Sequence, residues 1–405
     1  MNILVVGLSP YLITSRSKIY ALIMSHLYAQ GHSVAGATWA HDISYFVPDA
    51  DGKSYYEFEI QNKLKYKIPL LLFNRGKNES IEFYEIVNSL QPDMIVTVGD
   101  YTDFLYMKAI KVCYNKPFKW LFVLLNYSCP INENHREAIQ QADSILCLSQ
   151  FGYDTIKEIY KKDSIDVAYI GCDTNYVSGN PSPSPDGTYR IITIGKCYQT
   201  DNIPIIMESV HNARKINKNI ELYVHANIHD TGDYDLELIR DRFDPDHEYI
   251  QFPDKCVSLH EGISDSELMQ KMSESDLFIS VPLVSATSIS AFDAIVSGCF
   301  PLLSDCGSNT DLVNLLLNEN ILYKKEDFLV PCVKLMSTGC SYLNACDGEE
   351  LTQKIIYMSK KNLENKKGML INLEELTKRY NRKGFLSKLL EMINTVEISD
   401  QVICI

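Results

Sequence analysis

At 405 residues the chain is long enough for two domains of ordinary size, each burying its own core. Its formal charge of −14 argues against a broad nucleic-acid footprint, which needs clustered Lys and Arg, and no apolar run reaches the ~20 residues that span a bilayer. Twelve cysteines stand singly among apolar neighbours with no C-x-x-C pair, which fits buried thiols in a reduced compartment rather than a disulfide scaffold. A soluble, cytoplasmic protein is expected. The charge deficit is uneven: through Asp173 there are 16 basic against 19 acidic residues, so most of it falls later. A local basic surface around Lys63, Lys65, Lys67, Arg75 and Lys77 is open on that count, with a solvated loop as the plainer reading.

Short apolar runs alternate with amphipathic stretches along the chain, the pattern of α/β proteins whose parallel sheets are covered by helices. In chain order, strands are predicted at 3–6, 33–38, 69–73, 94–98, 121–125, 144–148 and 167–170, with helices between them, for example at 17–29 and 80–90. Residues 178–188, SGNPSPSPDGT, hold three prolines and two glycines without periodicity and mark a domain boundary. A second alternation follows, with strands at 190–194, 221–224, 277–280 and 300–304. The last helical pattern, 373–396, is long and polar on one face, and 326–346 reads as an insertion of unassigned role.

Between the last two strands lies SATSISAFDAIVSG. Thr287 and Ser288 stand where a helix begins, so their amides and those of Ile289 and Ser290 are expected to be unpaired donors at the positive end of the helix dipole. Phosphate is the natural occupant of such a tip, although a capped helix in an ordinary βα unit is the plainer reading. Asp293 falls one and a half turns further on, where a carboxylate could accept both hydroxyls of a ribose.

Taken with its neighbours, this segment resembles the donor half of the retaining glycosyltransferases of family four, whose signature runs like S-D-G-T-S-V-S-L-L-E-A-M-A-x-G-x-P-V-V-x-S-D-x-x-S-N. The matching string runs from Val284 and Ser285 through Asp293, then Gly298, Pro301, Ser304, Asp305, Ser308 and Asn309. Gly171-Cys172-Asp173-Thr174 looks like the G-V-D element that closes the family's first domain, and Ile194-Gly195-Lys196 like its glycine-plus-base loop. His260-Glu261-Gly262-Ile263-Ser264 with Leu268, Ser275-Asp276, and Gly31-His32-Ser33-Val34 are similar to further family elements, in the order the family has them. The resemblance implies the GT-B architecture, two Rossmann-like doubly wound domains facing across a cleft at the carboxyl edges of their sheets. Residues 1–177 would form an acceptor-binding domain, 178–188 the linker, 189–372 a nucleotide-sugar-binding domain, and 373–405 a helix crossing back to the first.

Glycosyl transfer demands stabilisation of the departing diphosphate, because charge grows on its oxygen as the sugar carbon becomes cationic. Lys196 is the first candidate, following Gly195, whose missing side chain lets the backbone approach the phosphates; its plainer reading is a surface lysine on a turn. Two positions depart from the family pattern. Asp201 stands where a second lysine usually follows, and Ser285 where the first acid of an E-x7-E pair belongs, a position that in the family faces the sugar. Arg16 is nominated to share the diphosphate's charge. Asp100, at the end of the 94–98 strand, is nominated to orient an acceptor hydroxyl, with helix capping as the alternative and Asp103 as competitor. Asn126 and Tyr127 end the next strand, where relatives often carry a histidine. Enzymes of this type are thought to let the leaving diphosphate itself assist the incoming hydroxyl.

Several strings are set aside. Asp51-Gly52-Lys53-Ser54 lacks the leading glycine of a phosphate loop, since Val47 occupies it. Asp49-Ala50-Asp51, Asp233-Tyr234-Asp235 and Asp244-Pro245-Asp246 do not follow apolar strands and read as loops. His225 and His229 straddle a strand end, and Cys332, Cys340 and Cys346 match no common zinc spacing, so no metal site and no cofactor are expected. The expected function is transfer from a UDP- or GDP-sugar, the co-substrate, to a hydroxyl of a glycan or lipid-linked sugar. A viral DNA glycosyltransferase acting on a hydroxymethylated base is the enzymatic alternative, and a non-catalytic sugar-nucleotide or partner-binding module the alternative of another class. Oligomeric state is left open.

Overall fold

A computed structural model describes residues 1–39, 53–60, 64–76, 78–127, 129–172, 186–229, 232–254, 262–318, 323–337, 341–361 and 373–395. The first sheet comprises β1 (Asn2–Gly7), β2 (Ser33–Trp39), β3 (Ser54–Ile60), β4 (Leu64–Phe73), β5 (Met94–Gly99), β6 (Lys119–Leu124), β7 (Ser144–Cys147) and β8 (Ile165–Val167). Their order is β3-β4-β2-β1-β5-β6-β7-β8, parallel at every step but β3–β4. The second sheet comprises β9 (Tyr189–Ile194), β10 (Ile220–His225), β11 (Ile250–Gln251), β12 (Leu277–Ser280), β13 (Phe300–Ser304) and β14 (Leu329–Val330), ordered β11-β10-β9-β12-β13-β14 and parallel throughout. The expected linker lies, up to residue 185, outside the described residues, as do Asp173, Thr174, His260, Glu261, Lys63, Lys77, Cys340 and 49–52.

Central strands such as β1 and β5 are apolar almost end to end because helices cover both faces of the sheet. On one face Ile19, Tyr20, Ile23 and Leu27 of the helix Ser15–Ala29 meet Phe385, Leu389 and Ile393 of the helix Arg382–Thr395 across Val5, Val96 and Val123. On the other, Trp39, Phe73, Phe83, Phe104, Trp120 and Phe122 form an aromatic layer.

The structure departs from the sequence expectations in several places, the unpredicted two-residue β11 among them. The strand expected at 69–73 is the end of the longer β4, whose first half pairs with the unpredicted β3. That hairpin alternates charged and aromatic residues, and its Lys65 and Lys67 are exposed, Lys67 pairing with Glu57 at 2.7 Å, as suits a sheet edge. The strand expected at 167–170 is β8, ending at Val167. The 373–396 pattern is two helices, Leu373–Arg379 and Arg382–Thr395, because Asn381 stops one and starts the other: its Oδ1 accepts from Gly384 N at 2.9 Å while its backbone bridges to Cys172. The 326–346 insertion holds the edge strand β14 and an antiparallel hairpin, β15 (Cys332–Met336) and β16 (Tyr342–Cys346).

That hairpin touches the first lobe: Tyr342 N donates to Cys129 O at 2.9 Å and Ser341 Oγ to Pro130 O at 3.2 Å. Near it in sequence, Asp311 of the second lobe accepts from Phe151 N at 2.7 Å, at the start of the first-lobe helix Gln150–Lys157. Burial pushes the Asp311 carboxyl up to about 6, and Asp154 adds to the shift against the Phe151 and Gln150 amides. Tyr169 is the other titratable group facing it. Because this pKa is raised in the closed contact, protonation favours closure, and the contact weakens as pH rises through about 6. Small-angle scattering is therefore expected to show a more compact particle at pH 5 than at pH 7.5, and Asp311→Asn to remove the difference.

Candidate active site

A cleft of about 1180 Å³ opens between the carboxyl ends of the two sheets. From the first lobe it receives the loop after β1 and the start of the helix Ser15–Ala29, including Arg16 and Lys18; from the second, Gly195 and Lys196 after β9, His225 at the end of β10, and Ile289, Ser290 and Asp293 of the helix Ile289–Val296. Among the described residues, four basic side chains (Arg16, Lys18, Lys196, Arg382) and three acidic ones (Asp201, Asp265, Asp293) line it, a concentration of basic groups within a chain of −14. Low-dielectric walls focus such a field on an anion.

Lys196 is placed by its backbone. Asp201 Oδ2 accepts the Lys196 N–H at 2.6 Å, closing the loop. A Cβ on Gly195 would come within 3.2 Å of Ile203 Cδ1 and 3.3 Å of Asp201 Cβ, so the turn is tight. Asp201, noted in the sequence only as a missing lysine, thus shapes the loop and puts a carboxylate beside the ammonium. Burial holds that carboxyl above the ordinary range, against the lowering effect of the Lys196 amide and charge.

The helix expected to carry the phosphate site begins at Ile289, one residue later than expected, with Ser288 before it. Ile289, Ser290 and Asp293 line the cleft; Thr287 and Ser288, expected with them, are not among the lining residues. Ser285 is buried, its hydroxyl 2.8 Å from Ser308 Oγ and bonded to Asn309 Oδ1 at 3.1 Å, turned into the lobe.

On the opposite wall Arg16 Nη1 donates to Asp103 Oδ2 at 2.9 Å and Nε to Tyr127 OH at 3.0 Å, with the guanidinium 4.9 Å from the Tyr127 ring centre. Arg75 shares the same carboxylate. Asp100 sits behind this group rather than among the cleft-lining residues: it caps the short helix Tyr101–Phe104, accepting from Thr102 N at 2.9 Å and Thr102 Oγ1 at 2.8 Å. Asn126 is buried with neither side-chain amide atom hydrogen-bonded.

The strings set aside in the sequence are structural where described. Asp235 caps the helix Leu236–Phe243, Asp233 accepts from Gln199 N, and Asp244 gathers the amides of Glu248, Tyr249 and Ile250. His229 is exposed, but His225, dismissed with it, lines the cleft, where burial and Lys18 pull its imidazole down to about 4. It is a neutral donor–acceptor at physiological pH, legible only once its strand end is seen to face the cleft. Among the described residues no group of three His, Cys, Asp or Glu is arranged to hold a metal ion, and no helix is long and apolar enough to cross a membrane.

No protein-family model matches the chain, and no curated protein matches it significantly. Solved structures do. A glycosyltransferase from Rickettsia africae aligns with a TM-score of 0.66 at 14% identity, covering 97% of this chain and 97% of that one. The fold is GT-B. Other GT-B structures similar to it include a UDP-forming α,α-trehalose-phosphate synthase from Burkholderia xenovorans, with a TM-score of 0.65, 12% identity and coverage of 98% and 99%. A trehalose-6-phosphate structure from E. coli bound with UDP-2-fluoro glucose has a TM-score of 0.62, 11% identity and coverage of 96% and 99%. At such identities the likeness is one of fold.

Proposed function

We propose that this GT-B protein is a retaining glycosyltransferase that moves a sugar from a UDP- or GDP-sugar to a hydroxyl of a glycan or lipid-linked sugar, acting in the cytoplasm. One observation carries the reading: Lys196, the first amides of the helix Ile289–Val296, Asp293 and Arg16 converge on a single interlobe cleft. Lys196 and the helix tip take the diphosphate, and Asp293 takes the ribose hydroxyls. As the bond from the sugar's anomeric carbon to the diphosphate breaks, the acceptor oxygen bonds that carbon on the same face and its proton passes to the departing diphosphate. Arg16, held by Asp103 and Tyr127 with Asp100 behind, supplies charge from the acceptor side, so that side chains rather than a metal ion offset the leaving group.

The test is nucleotide release from a panel of UDP- and GDP-sugars, followed by NMR assignment of the product's anomeric configuration. Inversion would remove the retaining assignment. If no donor turns over and none raises Tm, the protein is a binding module built on a transferase fold.

Asp201 opposes the very anion that the site takes. A unit charge roughly 7 Å from a phosphate, at an effective dielectric near 20, is worth about 2 kcal/mol. Asp201→Asn keeps an acceptor for the Lys196 amide and removes that charge, so it is expected to tighten UDP binding about thirtyfold by calorimetry. As pH falls toward the Asp201 pKa the wild-type affinity should approach the variant's, the titration of the nucleotide's own terminal phosphate being common to both; equal affinities at pH 8 would place the diphosphate elsewhere.

A further inference from the structure

Serine before a helix normally adopts an extended backbone and turns its hydroxyl onto the helix's own amides. Ser149 and Ser264 do so here, bonding Gly152 N and Glu267 N. Ser288 does not. Its φ is +46° and ψ 31°, a left-handed conformation strained for any residue with a Cβ, and its side chain makes no capping bond. The hydroxyl points the other way, donating to Asn309 Oδ1 at 2.6 Å and lying 2.7 Å from Ser308 Oγ.

Asn309, 1% exposed, is the hub of this cluster. Its Oδ1 also accepts from Ser285 Oγ at 3.1 Å, and its Nδ2 donates to Ser304 Oγ at 3.1 Å, which in turn donates to Pro282 O at 3.2 Å. The loop is stitched once more where Ser308 N donates to Ser285 O at 3.0 Å. Gly307 makes that approach possible, with φ +51° and no room for a Cβ against the Ser285 carbonyl. The first bond into the helix is Phe292 N to Ser288 O, and among the described residues the amides of Ile289, Ser290 and Ala291 have no acceptor.

We infer that Asn309 is a positioning residue: by accepting the Ser288 hydroxyl it keeps that side chain from capping its own helix, and so leaves the Ile289, Ser290 and Ala291 amides to the donor's diphosphate. The inference rests on the donor reading proposed above. It separates two kinds of affinity, since the nucleoside is recognised elsewhere and only the diphosphate competes with the diverted hydroxyl. Without Asn309 the hydroxyl loses its amide acceptor and keeps only the Ser308 and Ser285 hydroxyls beside it, so it turns more readily to cap Ser290 or Ala291, and the diphosphate must then displace it.

The experiment measures binding of UDP and uridine, with GDP and guanosine in parallel, by calorimetry. Asn309→Ala is expected to weaken the diphosphate at least tenfold and the nucleoside less than twofold. Adding Ser288→Gly, which keeps the left-handed turn and removes the competing hydroxyl, should bring the diphosphate back to within about threefold of wild type; a merely structural Asn309 would show no such rescue. Unchanged UDP binding in Asn309→Ala, or a double variant as weak as the single one, overturns the inference. Should Asn309→Ala not fold, Ser288→Gly alone decides: retained UDP affinity supports it, and a tenfold loss shows that the hydroxyl itself serves the ligand. Should wild type bind no nucleoside diphosphate, the proposed function falls, while amide exchange in the unliganded chains still tests the diversion, with Ser290 and Ala291 expected to exchange more slowly in Asn309→Ala than in wild type.

Discussion

Lys196→Ala is expected to lower nucleotide release by two to three orders of magnitude, in kcat and kcat/KM alike, while Tm hardly moves. The magnitude is that of removing one preorganised donor from a site of developing negative charge, about 3–4 kcal/mol of barrier. The backbone carries the shape of the loop, since the Asp201 bond runs to the Lys196 amide and Gly195 makes the turn. Substitution therefore removes charge without unseating the strand end, and the stability change should be that of a surface site, about 0.5 kcal/mol or less. Steady-state nucleotide release beside a melting curve measures both. A rise in KM alone would make Lys196 an anchor that binds ground state and transition state equally.

Much of this site was legible in the sequence because its parts are local. A glycine and a base after a buried strand, and a small polar pair before an apolar helix, are patterns of a few residues, and Arg16, Lys196, Ile289 and Asp293 do line one cleft. What escaped is set by non-local contact. No local signal marks Ser288 as left-handed, because serine has no preference for that region, and its hydroxyl is held by Ser308 and Asn309, 20 and 21 residues on. Asp100 is the residue nominated at that strand end, with Asp103 as competitor; the structure pairs Arg16 and Arg75 with Asp103 instead, an approach no spacing foretells. His225 was discounted with His229 by their spacing, yet one ring lines the cleft while the other faces solvent.

The fold divides the same way. Strands buried on both faces are continuous apolar runs, and β12 and β13 lie at the bounds expected. The edge pieces β3, β11, β14 and β15 were missed because they carry charge or are only two residues long, and β16 with them because its apolar run is short and broken by Asn344. The hairpin of β15 and β16 reads as an insertion from sequence and is a contact between lobes in the structure.

Gly171→Ala is expected to release the C-terminal helix. Gly171 has a φ of +64°, which alone costs an alanine about 1–2 kcal/mol. Its added Cβ would also fall inside contact distance of the Tyr380 carbonyl and the Asn381 amide nitrogen, backbone atoms that no side-chain rotation can move aside. Those atoms make the joint by which the chain returns to the first lobe: Cys172 bridges Asn381, and Arg382 N donates to Cys172 O at 3.3 Å. Beyond the joint, Phe385, Leu389 and Ile393 are buried in the first lobe's core, and Lys388 pairs with Asp166. Displacing the joint lifts these side chains together, so the loss should reach about 4 kcal/mol or more, in the range of the largest single-residue effects. Limited proteolysis is expected to cut within 373–395 in the variant and not in wild type, with a fall in Tm. Gly31→Ala is the control, since Gly31 has a φ of +84° but nothing within 4 Å of an added Cβ, and it should show the left-handed cost alone. If the two variants were equally mild, the docking of the helix Arg382–Thr395 would not depend on the close approach at Gly171.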